Sequence, residues 1–64
     1  MTIEENIRFT VYQMVSDYTS NKHENLWNIA KAVKTAYNIG AVSKGETEML
    51  CNNLHLTFEE MMSA

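Results

Sequence analysis

The sequence contains no proline, two glycines and one cysteine in 64 residues. Each scarcity excludes something. Without proline, and with glycine only at positions 40 and 45, few residues oblige the backbone to leave a helix. The single cysteine, Cys51, excludes an intramolecular disulfide and fits a reducing compartment. A chain this short buries only about 60% of the surface it exposes when unfolded, so it lacks the commonest staple of a small scaffold just where stability is marginal. No apolar run approaches the roughly 20 residues that span a bilayer, and Glu4 and Glu5 stand where a secretory leader would be basic and then apolar. A cytoplasmic location is expected, with no membrane partner. Five Lys and Arg against eight Asp and Glu give a net charge of −3. That balance lacks the clustered positive charge on which nucleic-acid binding depends, so nucleic acid is not expected as a partner.

What is present points to helix. The chain is 45% hydrophobic, too apolar for a disordered tail. Four candidate capping boxes, each a short polar residue followed three positions later by an acid, suggest helix starts: Thr2 with Glu5, Asn21 with Glu24, Ser43 with Glu46 and Thr57 with Glu60. On the first segment Ile3, Ile7, Val11, Met14, Val15 and Tyr18 recur by threes and fours, which predicts a helix over 3–19 closed by the polar turn Thr19, Ser20, Asn21. The second helix is predicted from Lys22 to Asn38, with Leu26, Ile29, Ala30, Val33, Ala36 and Tyr37 on its core face. Gly40 ends it in a left-handed conformation, with Ile39 expected to fold back onto the helix.

The third segment carries its stripe through Leu50, Cys51, Leu54, Phe58 and Met61, which favours one helix from Lys44 to Met62. The competing reading breaks it near Thr57. Residues 54–58 also alternate apolar and polar as a strand would, but a lone five-residue strand would have nothing to pair with. The expected fold is therefore all-α, a three-helix bundle forming a single helical domain over residues 1–64, with Thr57 as the place where the third helix could break.

Motifs for chemistry are thin. Cys51 and His55 lie four apart and would share a helical face, the spacing of a metal-binding or thiol–imidazole pair. Two ligands do not make a metal site, and His23 is the only further histidine. A domain this small also has little room for a substrate pocket. The pairs Glu4 with Glu5 and Glu59 with Glu60 sit in first turns, where acids complement the helix dipole. No phosphate-binding glycine loop is present. The protein is expected to be no enzyme, with no catalytic residues, no metal and no cofactor.

The stretch Ile29 to Leu50 invites comparison with a helix-turn-helix DNA reader, but the would-be recognition helix opens with Glu46 and Glu48, which phosphates repel. Lys22, Lys31 and Lys34 form the one basic stripe, an ordinary solvated face. The succession Ala36, Tyr37, Asn38, Ile39, Gly40, Ala41, Val42, Ser43 and then Glu46 resembles the hairpin of the short C-terminal domains found in many bacterial proteins. Similar hairpins recur in small helical proteins encoded by phages of Gram-positive bacteria. The resemblance covers roughly a third of the chain, and departs from the pattern at Gly45, where an acid is more usual. It implies a binding or oligomerisation module, with no catalytic residues to carry over.

The feature that points furthest is apolar surface off the core stripes. At 100° per residue, Phe9 and Tyr12 fall about 180° and about 125° from the centre of the first helix's apolar face. Met49 and Leu56 do the same on the third helix, seven apart, and Trp27 lies at the rim of the second beside Lys31 and Lys34. Burying one such side chain is worth roughly 1.5–3 kcal/mol, a large share of what a small domain has. These five residues are the expected partner-binding positions, for a second copy of the chain in a homodimer and for a host protein. The function expected is a non-catalytic protein-binding module, of the kind a phage or mobile element encodes as a regulator or inhibitor. The alternative is a small helical DNA-binding transcriptional regulator.

Overall fold

A computed structural model describes residues 2–21 and 25–64. The described residues are helical, with no strand: α1 spans Ile3–Asn21, α2 Leu26–Asn38, α3 Lys44–Asn53 and α4 Phe58–Met62. None of these helices is long and apolar enough to cross a membrane. The all-α expectation holds, with four helices in place of three.

α2 is the centre of the fold, in contact with each of the other three helices. Its apolar positions explain why: Ile29, Ala30, Val33 and Ala36 recur on one face and are fully buried. Leu50, Cys51 and Leu54 close on that face from α3 and its C-cap, Met61 from α4, Val11 and Val15 from α1. The radius of gyration is 10.6 Å, against about 10.7 Å for a compact chain of this length. The helices therefore wrap α2 without splaying.

The helix starts are capped by side chains, though not all as expected. Thr2 Oγ1 accepts from the Glu5 amide at 3.1 Å, opening α1. α1 then runs to Asn21, past the expected turn, because the Thr19 hydroxyl donates to the Ser16 carbonyl and so stays compatible with helix. α2 begins at Leu26. Its N-cap is Asn25, whose side chain accepts from the amides of Trp27 and Asn28 at 2.9 and 3.3 Å. Asn21, expected to cap the second helix, is instead the last residue of α1, while its predicted partner Glu24 and Lys22, the predicted start and part of the basic stripe, lie outside the described residues.

Both capping boxes in the second half form in full. Ser43 Oγ accepts from the Glu46 amide while Glu46 Oε1 accepts from the Ser43 amide, and Thr57 and Glu60 repeat the exchange. The second box corrects the expectation of one helix from Lys44 to Met62. α3 ends at Asn53, His55 takes a left-handed φ of 60°, and α4 starts afresh at Phe58. The stripe survives the break because α4 folds back onto α2. Met61 is fully buried there, and the Phe58 ring meets Tyr37 edge-on at 5.4 Å.

The chain reverses after α2 and after α3 through the same hydrogen-bond pattern. After α2, Gly40 has φ 81°; its amide donates to the Tyr37 carbonyl and the Ala41 amide to the Ala36 carbonyl. After α3, the His55 amide donates to Asn52 and the Leu56 amide to Cys51. These are two Schellman motifs, in which a left-handed residue lets the chain double back onto the last helical turn. In this geometry the residue after the left-handed one is aimed at the helix. So Ala41 and Val42 are buried, whereas Ile39, expected to fold back, remains 47% exposed.

Candidate protein-binding surface

Contact between α1 and α3 is organised by one carboxylate. Glu46 Oε2 accepts from the Tyr12 hydroxyl at 2.7 Å and from Arg8 Nε at 2.8 Å, while Oε1 caps Ser43. Arg8 also lies over the Tyr12 ring, 5.4 Å from its centroid. The Ser43 amide, then the Tyr12 hydroxyl and Arg8, all stabilise the ionised form of Glu46 and hold its pKa down at about 2. Hydrogen bonding to this carboxylate in turn raises the Tyr12 and Arg8 pKa values. Tyr12, expected on the outward face of α1, is half-buried and packs against the core. Its ring and hydroxyl draw that side of α1 towards α3.

The five expected partner-binding residues divide accordingly. Phe9, Trp27 and Met49 are 69%, 49% and 45% exposed, far from the ordinary fate of such large apolar side chains. Tyr12 and Leu56 are half-buried against the core. Phe9 and Tyr12 share an open depression with Glu5 and Arg8. Met49 and Leu56 share a second, on the α3–α4 side, with Cys51 and Phe58 in its wall. Each exposed residue of these two pairs thus stands beside a half-buried one. Trp27 belongs to neither depression.

No family model, no curated protein and no solved structure matches the chain.

The Cys51–His55 pair is not assembled. Cys51 is buried in α3, and burial pushes its thiol pKa up, the wrong direction for a nucleophile. His55 lies beyond the helix's C-cap and is exposed, so the shared face implied by the spacing is lost with the helix. Among the described residues no three His, Cys, Asp or Glu side chains gather as a metal site; His23 is outside them. The start of α3, the would-be reading head of a DNA-binding motif, presents an ionised Glu46 already engaged by α1.

Sequence reasoning missed one apolar surface. The α1 stripe from Ile3 to Tyr18 is centred about 45° away from Val11 and Val15, the buried residues among those of α1 whose side chains are described. The offset leaves Ile3 78% exposed and Ile7 and Met14 half-buried. Together with Ala32 and Thr35 of α2 these three line a groove of about 310 Å³, none of whose lining residues is charged. A wheel drawn from sequence finds the stripe but takes its centre for the buried direction. The tie from Tyr12 and Arg8 to Glu46, which turns α1 towards α3, joins residues more than 30 positions apart.

Proposed function

We propose that this is a non-catalytic helical protein that acts by binding other protein, as the small regulators and inhibitors of phages and mobile elements do, in the cytoplasm. The observation that carries the reading is the exposure of Phe9, Trp27 and Met49, three large side chains on three different helices that the core does not use. Phe9 and Met49 each stand beside a half-buried neighbour, Tyr12 and Leu56, so a partner side chain entering either depression would meet a projecting apolar anchor beside polar side chains, Glu5 and Arg8 in one and Glu48 and Asn52 in the other. Trp27 supplies an anchor at the start of α2. A buried thiol of raised pKa and a histidine displaced from it support a role without catalysis.

The test is retention of a protein from lysate of the source organism on immobilised wild type, against the variant Phe9→Ser, Trp27→Ser, Met49→Ser. All three positions are exposed, so the variant keeps its helicity. A specific protein held by the wild type and lost from the variant supports the reading. Equal retention on both sinks it.

A further inference from the structure

α1 and α2 differ in how their apolar stripes meet the core. In α2 the stripe from Leu26 to Tyr37 is centred about 15° from the buried residues Ile29, Ala30, Val33 and Ala36, whereas in α1 the offset from Val11 and Val15 is about 45°. We infer that α1 is held off its most apolar face by a latch on Glu46, and that with the latch undone it rolls on its axis, closing the groove against α2 and releasing Tyr12 to solvent. The inference concerns the fold alone and does not depend on the binding reading above.

The offset has a direction. Around α1 from the groove side, Ile3, Met14 and Ile7 come first, then Val11 and Val15, then Arg8 and Tyr12. The first three line the groove against Ala32 and Thr35 of α2, the middle pair is buried, and the last two reach Glu46 of α3. The open side and the latched side are thus opposite edges of one arc. A single turn about the helix axis carries the first inward and the second outward.

The two positions satisfy different interactions. In the latched one Glu46 Oε2 accepts from the Tyr12 hydroxyl and pairs with Arg8 Nη2, each at 2.7 Å, and the Tyr12 ring is half-buried. Ile3 is left exposed, and Ile7 and Met14 only half-buried. In the rolled position Ile7 and Met14 come round to the buried direction and Val15 takes the side facing α3. Apolar burial is gained, while the polar contacts of Tyr12 and Arg8 are exchanged for water.

Only the contact between α1 and α3 has to break. Glu46 Oε1 caps Ser43 in either position, so α3 keeps its start when Oε2 loses its partners. The roll brings Tyr12 close to the direction in which Phe9 now points, which puts both aromatics on the outward face of α1. The latch therefore selects between two surfaces, an apolar groove beside α2 or an outward aromatic pair, in the manner of a packed element with two discrete arrangements.

The double variant Arg8→Ala, Tyr12→Ala removes both donors and leaves the Ser43–Glu46 box whole. Oxidation of Met14 by hydrogen peroxide, followed by mass spectrometry with Met49 as internal reference, reads the roll, and circular dichroism checks that the variant is folded. Met14 should oxidise at least about threefold more slowly in the variant than in the wild type, at an unchanged Met49 rate. Nuclear Overhauser contacts between the Met14 and Ala32 methyl groups should strengthen. The sign is what discriminates: loosened docking exposes Met14 and speeds its oxidation, whereas an inward roll slows it. An unchanged or faster Met14 rate in the folded variant overturns the inference. Should the double variant lose its helicity, Glu46→Gln, which leaves α1 intact, decides the matter. Met14 is expected to slow there by about twofold, and an unchanged or faster rate overturns the inference equally.

Discussion

After α2 the chain turns through Ile39, Gly40, Ala41 and Val42 to Ser43; after α3 it turns through Leu54, His55 and Leu56 to Thr57. Each turn closes with a Schellman motif and opens the next helix with a capping box. The differences are in the left-handed residue and in what the following acid touches. The first turn has a glycine there, and its acid, Glu46, reaches across to α1. The second has a histidine, and its acid, Glu60, caps its own helix. The same backbone device therefore serves as a tertiary joint in one place and a local bend in the other.

Gly40 gives the largest expected effect. A Cβ at this position would have no heavy atom within 4 Å, so a substitution costs only what its backbone conformation costs. At φ 81° a β-branched residue is a genuine outlier, and Gly40→Val should destabilise by about 2 kcal/mol. In a domain this small that lowers Tm by on the order of 10 °C in a thermal melt. A melt unchanged within error would mean the first turn does not require its left-handed residue.

The two acids come next. Glu46→Gln removes the charge from a carboxylate that accepts from Ser43, Tyr12 and Arg8, and should cost about 1–2 kcal/mol; Glu60→Gln, which alters one cap, should cost about 0.5 kcal/mol. The pH dependence separates them further. Glu46 has its pKa depressed on folding, to about 2 from an ordinary 4.5, so its contribution is complete above about pH 4.5 and is lost as pH falls towards 2. The stability gap between wild type and Glu46→Gln, measured by urea unfolding, should therefore narrow across that window. A gap that stays constant down to pH 2 would show that charge on Glu46 plays no part in the joint.

These contrasts also explain what could be read from the chain. The buried faces of α2 and α3 were legible because Ile29, Val33, Ala36, Leu50 and Cys51 keep helical spacing. Gly40 and the Ser43–Glu46 box were legible because each signal lies within a few residues. The break after α3 was harder. Leu54 and Phe58 are four apart, as in an unbroken helix, and no glycine marks the left-handed position. The Thr57–Glu60 box was the sole local sign. The rotation of α1 was out of reach, since the partner of Tyr12 and Arg8 lies on another helix. That rotation separates the expected outward surface of Phe9 and Tyr12 from the groove flanked by Ile3 and Met14. Of the five residues that the wheel placed off the core stripes, Phe9, Trp27 and Met49 are exposed, while Tyr12 and Leu56 are half-buried against the core.

The smallest effect concerns His55 itself. Histidine enters the left-handed region more readily than most residues but still less readily than glycine, so the second turn holds a modest strain that the first does not. His55→Gly relieves it, while adding conformational freedom to the unfolded chain that offsets part of the gain. The net expectation is stabilisation by about 0.5 kcal/mol, seen as a higher midpoint in urea at unchanged m. His55 is exposed, so the sign is set by the backbone. Loss of stability would instead mean that the imidazole makes a contribution its exposed position does not reveal, and that the two turns are less alike than their hydrogen bonds suggest.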